Sequence, residues 1–301
     1  MKTNKTQLSL GSNLFFWPRQ DTCDFYQQML EQPLDIIYLG EAVCSKRREL
    51  KTQEWIDLAK ELAAGGKQVV LSTLALIEAE SELKTLRRLC DNGELLVEAN
   101  DMGAVQAMAE RKLPFVSGSA INIYNAYTLQ SLYKQGLQRW VMPVELSGET
   151  LADILTDAQK LGFADQIETE VFSYGYLPLA YSARCFTARA KNLPKDNCQF
   201  VCLDYPQGLP MTSQEDQSVF TINGIQTMSG QVYNLLPEVE EMKRIGVDIV
   251  RLSPQQEGMA EVIEQFRSVI DGESKQILAI PADAVNGYWY KDAGLVNTYA
   301  E

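Results

Sequence analysis

Two kinds of hydrophobic pattern alternate along the chain. Short runs rich in Val, Ile, Leu and aromatic residues have the length and composition of β-strands, and several are apolar enough to be covered on both faces. Between them lie longer segments in which apolar residues recur at helical spacing. The eight predicted strands are Leu8–Leu10, Asp35–Leu39, Gln68–Ser72, Leu95–Glu98, Pro114–Ser117, Arg139–Pro143, Gln166–Phe172 and Asp248–Leu252.

The segments between the strands predict helices, so the chain reads as a series of βα units. Eight such strands predict a (β/α)8 barrel, built as a single domain from residues 1–301. A doubly wound open sheet is the alternative that the same alternation allows. The predicted helices are Thr52–Ala64, Leu76–Asp91, Asp101–Arg111, Ala126–Gln135, Gly148–Lys160 and Gly258–Asp271.

One stretch, from about residue 173 to 237, breaks the alternation. It contains many Tyr, Pro, Cys and Gly residues and a polar segment at Thr212–Gln217. Within it, Thr221–Met228 predicts a β-hairpin with Asn223-Gly224 as its turn. Because this stretch follows the seventh strand, we expect an irregular insertion at the carboxyl end of the barrel, where barrel enzymes build their sites.

Charge and composition narrow the classes of function. Twenty-seven basic and 40 acidic residues give a net charge of −13, so we expect no nucleic-acid partner. The sequence has no His, which excludes Ser-His-Asp triads and His-zinc sites. The apolar N-terminal stretch is broken by Gly11 and Pro18, and no run approaches the ~18 apolar residues of a membrane helix. We therefore expect a mature cytoplasmic protein that is not an integral membrane protein.

Three of the six cysteines, Cys185, Cys198 and Cys202, lie in the insertion with the spacing C-x12-C-x3-C. In a reducing cytosol, cysteines are more often thiols or metal ligands than disulfides. The residues around these three are polar and turn-like, which favours metal ligation over burial as small hydrophobes. Zinc and four-iron clusters prefer four ligands. We expect Cys44 to be the fourth, because it follows the second predicted strand at the same end of the barrel.

The basic residues Lys46, Arg47 and Arg48 follow Cys44 directly. One interpretation is that they form a solvated turn. The other is that their positive charge compensates an anionic cluster or binds an anionic ligand. Cys23 lies in a predicted first helix and Cys90 at the end of another. Their spacing is compatible with packing, so we expect both to be structural.

Polar residues near the ends of several predicted strands make the expected barrel mouth polar. Each one alone is more often a buried hydrogen-bonding or capping residue than a catalyst, and the sequence singles out no catalytic residue. The set consists of Glu98, Asn100, Asn122, Glu145, Glu170, Tyr174, Arg251 and Ser253.

The segment from Glu168 to Phe186 resembles the signature of the collagenase-like peptidase superfamily. That signature runs Glu-x-Phe-x-x-Gly-small-aliphatic-Cys, then four residues, then Gly-x-Cys. Tyr176 replaces the small residue, Ala183 replaces the second Gly, and Pro178 stands where the first Cys belongs. Cys44 is available to replace the missing thiolate. The matching positions are Glu170, Phe172, Gly175, Leu177 and Cys185.

Together with the segment GEAVCSKRRE and the cysteine spacing, the modified signature resembles the UbiU/UbiV branch of this superfamily. The resemblance implies a [4Fe-4S] cluster held by Cys44, Cys185, Cys198 and Cys202. It also implies a heterodimer with a UbiU-like homologous protein. The implied activity is the oxygen-independent hydroxylation of ubiquinone precursors, which are small aromatic substrates, under anaerobic conditions.

Two other functions stay open at this point. The superfamily includes peptidases, although peptide hydrolysis needs an activated water or nucleophile, and the sequence shows no nucleophile-base pair. The chain is alternatively a noncatalytic partner subunit whose metal site is structural.

Overall fold

The computed structural model describes residues 5–273 and 283–299. The first four residues of the N-terminal segment considered above lie outside these ranges. Within them the strands are β1 (Gln7–Leu10), β2 (Ile36–Leu39), β3 (Gln68–Ser72), β4 (Leu96–Ala99), β5 (Phe115–Ser117), β6 (Leu137–Val141), β7 (Glu168–Tyr181), β8 (Leu209–Thr212), β9 (Ser218–Asn223), β10 (Gln226–Asn234) and β11 (Ile249–Leu252).

Strands β1 to β7 and β11 form a closed barrel of eight parallel strands. Each strand from β1 to β6 pairs with the strand that follows it, and β11 pairs with both β1 and β7. Because the pairing of β11 with β7 closes the sheet, the predicted (β/α)8 barrel is confirmed and the open-sheet alternative is wrong.

Helices lie between the barrel strands, and α2 and α6 begin and end where the sequence predicts. Helix α3 begins at Glu80 rather than at Leu76, because the carboxylate of Glu82 accepts the backbone N–H groups of Glu78 and Ala79 and caps the helix there. The helices are α1 (Arg19–Leu30), α2 (Thr52–Ala64), α3 (Glu80–Cys90), α4 (Met102–Glu110), α5 (Ala126–Tyr133), α6 (Gly148–Lys160), α7 (Phe186–Ala190), α8 (Val239–Ile245) and α9 (Met259–Ile270).

The seventh strand extends well beyond its predicted end at Phe172. It runs to Tyr181, and its outer part pairs with antiparallel β10, which pairs in turn with β9, and β9 with β8. The predicted insertion after the seventh strand is therefore confirmed, but it begins later than residue 173, and much of it is an antiparallel extension of the sheet rather than irregular. Gly175 and Pro178 interrupt the strand pattern in the sequence, which hid the extension.

The predicted hairpin is confirmed, but its turn lies one residue further along the chain. Asn223 pairs with Gln226, so Gly224 and Ile225 are the two central residues. Gly224 has a φ of +68°, a conformation that glycine adopts at little cost. Its N–H donates to the hydroxyl of Thr187 at 2.9 Å, which anchors α7 on the hairpin.

The apolar core has two parts, one inside the barrel and one between the strands and the helices. The outer part continues beneath the antiparallel extension, where Leu177 and Met228 are fully buried. No helix in residues 5–273 or 283–299 is long and apolar enough to cross a membrane. The inner cluster consists of Ile36, Tyr38, Val70, Val116, Val141 and Ile249.

The point at which β7 leaves the barrel depends on Gly175. Its φ is +118°, and an added Cβ would lie 2.7 Å from the Cβ of Ser253. We expect Gly175→Ala to lower the free energy of unfolding by about 1–3 kcal/mol, measured by urea denaturation. Gly11→Ala is the matched control, because its added Cβ would meet its nearest atom, the carbonyl oxygen of Leu252, at 3.4 Å. Equal losses in the two variants would contradict this account.

Candidate functional site

A buried carboxylate lies between two guanidinium groups inside the barrel. Glu170 of β7 is fully buried and accepts hydrogen bonds from the hydroxyls of Ser9 and Tyr38, each at 2.5 Å. It also accepts the Nε–H of Arg251 at 2.8 Å. Arg139 of β6 donates to the Tyr38 hydroxyl at 2.9 Å, and its Nε lies 3.9 Å from Glu170. Side chains from β1, β2, β6, β7 and β11 therefore meet in one network.

Arg251 extends this hydrogen-bond network towards the carboxyl ends of the strands. Its Nη1 donates to Glu98 of β4 at 2.7 Å, and Glu98 also accepts the hydroxyl of Ser72 at 2.6 Å. The Arg251 guanidinium lies 4.0 Å from the centre of the Tyr38 ring. Its remaining nitrogen, Nη2, is buried and has no hydrogen-bond partner among the described residues. Such an atom is costly to bury without a ligand or a water molecule.

The network holds its groups in the charged state. Burial raises the pKa of Glu170, but the charges of Arg251 and Arg139 outweigh burial, and the pKa is lowered. For Arg251, burial acts to lower the pKa, yet Glu170 and Glu98 raise it well above its ordinary value. Burial also raises the pKa of Tyr38, which keeps its hydroxyl protonated as a donor. The interior therefore contains ion pairs rather than neutral acids.

A small cavity of about 30 Å³ lies above this network at the mouth of the barrel. The hydroxyl of Ser253 is buried in the same region and, like Nη2 of Arg251, has no partner in the described part of the chain. The volume is sufficient for about one or two water molecules or for one polar substituent of a ligand. The polar side of the cavity is lined by Glu98, Asn100, Ser119, Arg251 and Ser253, and Pro178 and Tyr181 of β7 border it.

Three residues of the predicted mouth set do not line this cavity. Asn122 is exposed, and Glu145 is exposed and accepts a hydrogen bond from Tyr124. The ring of Tyr174 packs on Phe266 of α9, with 6.2 Å between the ring centres, and so faces the helix layer. Phe172 pairs with Arg251 and Tyr174 with Leu252, so residue 173 has no partner in β11. This break in the register reverses the alternation of side chains along β7 and explains why Tyr174 faces outwards.

The four candidate cysteines lie on two segments. Cys44 is in the loop after β2, and Cys185 immediately precedes α7. Cys198 and Cys202 are in or next to the short 3-10 helical turns that follow α7. All four are half-buried free thiols.

Direct contacts join the loop after β2 to the segment between β7 and β10. Nζ of Lys46 lies 3.0 Å from the carboxylate of Asp196, two residues before Cys198. Arg47 is buried, and its Nη2 donates to Asn223 at 2.6 Å. The loop after β2 therefore lies against the segment that holds the other three candidate cysteines.

The charge of Arg47 affects two of the four thiols, Cys44 and Cys202. Burial is the main cause of the raised pKa values of Cys44 and Cys202, and the charge of Cys185 raises both further. Cys198 adds to the rise at Cys202. Arg47 acts in the opposite direction and lowers the pKa of both thiols. A single buried cation is thus shared by at least two of the candidate thiols.

These thiols do not form a site for a single metal ion. In the ranges that the structure describes, no group of three or more Cys, Asp or Glu side chains is placed to hold one. The two remaining cysteines are not among the candidate ligands: Cys90 is buried in the outer core, and Cys23 is half-buried on α1.

A chain of hydrogen bonds leads from Arg47 to the barrel mouth. Asn223 accepts from Arg47 and donates from Nδ2 to Gln226 at 2.9 Å. Gln226 donates from Nε2 to the Tyr181 hydroxyl at 2.8 Å, and Tyr181 borders the mouth cavity. No local pattern in the sequence marks these partners, because they meet only when β7 and β10 pair. Arg139 was not among the predicted site residues, although a charged residue inside an apolar strand is a signal of a buried ion pair.

The fold and the site together define a (β/α)8 barrel with a charged interior and a thiol-bearing extension at its carboxyl end. The sequence model of peptidase family U32 matches residues 22–288. The chain therefore belongs to peptidase family U32, which confirms the resemblance at the level of the family.

Several solved structures are similar over most of the chain. A thiamine phosphate pyrophosphorylase from Pyrococcus furiosus is 11% identical, with 90% of this chain and 98% of that chain covered and a TM-score of 0.47. A U32 peptidase is 12% identical, with 85% and 96% covered and a TM-score of 0.47. A dihydropteroate synthase from Thermus thermophilus is 11% identical, with 90% and 94% covered and a TM-score of 0.44. Similarities this distant indicate neither a substrate nor a reaction.

The interior network predicts a stability that depends on pH. We expect Glu170→Gln to lower the free energy of unfolding near pH 7 by about 3–5 kcal/mol, because two buried arginines lose their shared carboxylate. The pKa of Glu170 is lowered on folding, so its stabilisation is complete above the unfolded pKa of about 4.3 and is lost as the pH falls through the folded pKa. The difference from wild type should therefore shrink in strong acid.

Urea denaturation of both proteins near neutral pH and in acid measures this difference. Glu264→Gln is the control, since Glu264 is exposed on α9 and its substitution should change little at either pH. A Glu170→Gln protein as stable as wild type near pH 7 would show that the network does not hold the barrel.

Proposed function

We propose that this chain is the [4Fe-4S]-binding subunit of an oxygen-independent hydroxylase that acts on ubiquinone precursors together with a UbiU-like partner. The observation that carries the proposal is the presence of four half-buried free thiols, Cys44, Cys185, Cys198 and Cys202, on two segments that contact each other at the carboxyl end of the barrel. Membership of family U32 supports it, because the UbiU/UbiV branch that the sequence resembles lies in the same superfamily.

The chemistry of these donors fits an iron-sulfur cluster. Four thiolates are the usual complement of a [4Fe-4S] cluster. The N–H of Ala188 donates to the sulfur of Cys185 at 3.4 Å. Hydrogen bonds of this kind tune thiolate-bound clusters. Nε of Arg47 is buried without a partner in the described residues, so a further N–H donor remains for a cluster sulfur.

The described residues form no site for a single metal ion. A four-iron cluster places four irons and four sulfides between its ligands, so its ligands lie further apart than those of one metal ion. Peptide hydrolysis at a metal would need an open coordination position, which four thiolates on one zinc would not leave. Family membership alone therefore does not lead us to propose a peptidase.

The barrel mouth favours a catalytic role over a purely structural one. Nη2 of Arg251 and the hydroxyl of Ser253 are buried without partners in the part of the chain that the structure describes. An oxygen substituent of an aromatic substrate would satisfy them, and the cavity of about 30 Å³ accommodates such a group but not the ring. A bound [4Fe-4S] cluster supplies one-electron transfer. A chain of hydrogen bonds joins Arg47, in the same loop as Cys44, to Tyr181 at this cavity.

The remaining parts of the proposal rest on the resemblance. The chain forms a heterodimer with a homologous UbiU-like barrel protein, works in the cytoplasm under anaerobic conditions and takes a small aromatic quinone precursor. Its net charge of −13 supports a partner other than nucleic acid.

Substitution of the cysteines tests the cluster and its ligands. Protein purified without oxygen from Cys44→Ala, Cys185→Ala, Cys198→Ala or Cys202→Ala should lose most of its iron, because three thiolates leave one iron exposed to exchange. Cys23→Ala and Cys90→Ala are matched controls that should keep it. Iron analysis and electron paramagnetic resonance measure both the loss and any residual three-iron form, which would still indicate ligation. Full iron in Cys44→Ala together with loss in Cys23→Ala or Cys90→Ala would rule out the proposed ligand set.

Association with the partner is a separate expectation. We expect the chain, co-expressed with a UbiU-like homologue, to elute from size-exclusion chromatography as a heterodimer in which each subunit carries its own cluster. Elution of the two proteins as separate monomers at micromolar concentration would refute the partnership while leaving the cluster assignment intact.

A further inference from the structure

A pocket of about 350 Å³ opens between α2 and α3, beside the loop that carries Cys44. Its volume lies in the range of small-molecule sites, whereas the mouth cavity accommodates only water-sized groups. Arg47, which also affects Cys44 and Cys202, lines the pocket, but no cysteine and no residue of the interior network does. The proposed reaction does not use the pocket itself. Its apolar wall is formed by Leu50, Trp55, Leu74, Ile77, Leu86 and Leu89.

The acidic groups of this pocket are already engaged. Glu82 accepts the hydroxyl of Ser45 at 2.5 Å and also caps α3 through two backbone N–H groups. Burial acts to raise its pKa, but these hydrogen bonds outweigh it, and the pKa is lowered. Glu41 accepts two backbone N–H groups of its own loop and lies 3.8 Å from Arg47.

The basic groups at the rim are not engaged in the same way. Arg48 and Lys51 line the pocket and are exposed, and neither has an ion pair within 4 Å among the described residues. The nearest hydrogen bond of Arg48 is a long one, from Nε to the carbonyl oxygen of Ser45 at 3.4 Å. Lys51 stands at the N-cap of α2, where the helix dipole adds positive potential and the carboxylate of Glu54, which accepts the backbone N–H of Lys51 at 2.7 Å, offsets part of it. In a chain with a net charge of −13, two available cations at the edge of an apolar pocket favour an anionic ligand.

We propose that this pocket binds a small organic acid. Its apolar body packs against the wall formed by Trp55 and the aliphatic side chains, and its carboxylate faces Arg48 and Lys51. A neutral apolar ligand would make no use of the two cations. This site goes beyond the proposed function and does not depend on the cluster.

Isothermal titration calorimetry with a matched pair of probes tests the proposal. We expect 2-naphthoate to bind the full-length protein at one site. The isosteric but neutral 2-naphthamide should bind about tenfold more weakly, because it lacks the charge that two exposed cations attract. Added salt should weaken the binding of the carboxylate and leave that of the amide almost unchanged.

Variants locate the site. Arg48→Ala and Lys51→Ala should each weaken the binding of 2-naphthoate about two- to fivefold. Lys84→Ala removes an exposed charge of the same sign from α3 outside the pocket and should leave binding unchanged. Thr85→Trp should fill the pocket and abolish binding of both probes, with circular dichroism as the check that the protein is folded.

The outcomes separate this proposal from the cluster assignment. The Cys198→Ala protein, whose substituted residue lies outside the loop that lines the pocket, should bind 2-naphthoate as wild type does, whatever its iron content. Equal affinity for the two probes, with no effect of Arg48→Ala or Lys51→Ala, would overturn the anionic class of the ligand. The absence of binding by either probe at millimolar concentration would overturn the site itself. Both of these contradicting results are independent of whether the Thr85→Trp protein folds.

Discussion

The buried carboxylate of Glu170, held between Arg139 and Arg251, is the interaction on which the rest of the structure depends. It joins β7 directly to β1, β2 and β11 and, through the Tyr38 hydroxyl, to β6. Charges buried to this degree are tolerated only when their partners are placed with little freedom. The network therefore fixes the register of β7 against strands that are distant in sequence.

The position of β7 decides where the thiols lie. Beyond Gly175 the strand leaves the barrel and pairs with β10, and it ends at Tyr181, four residues before Cys185. The hairpin of β9 and β10 then supplies Asn223, which holds Arg47 of the loop after β2. The charged interior, the antiparallel extension and the loop of Cys44 are in this way one connected arrangement, and a disturbance at β7 should reach all three.

Features fixed by local patterns could be predicted from the sequence, and features fixed by distant pairing could not. The predicted first and last residues of β3 and α2 are correct, because apolar periodicity and the glycines after α2 mark these boundaries. The end of β7 is set by β10, whose Gln226 pairs with Tyr181 across 45 residues. At the site, the position of Cys44 at the carboxyl end of the barrel could be predicted, because Cys44 follows the second strand. The break in register next to residue 173 turns Tyr174 outwards, and it leaves no mark in the sequence.

The content of iron and acid-labile sulfide in wild-type protein purified without oxygen tests the central claim most directly. The account predicts about four irons and about four sulfides per chain, in a brown protein with broad absorption near ~400 nm that bleaches in air. Stoichiometric zinc without sulfide, in a colourless protein prepared in the same way, would contradict it.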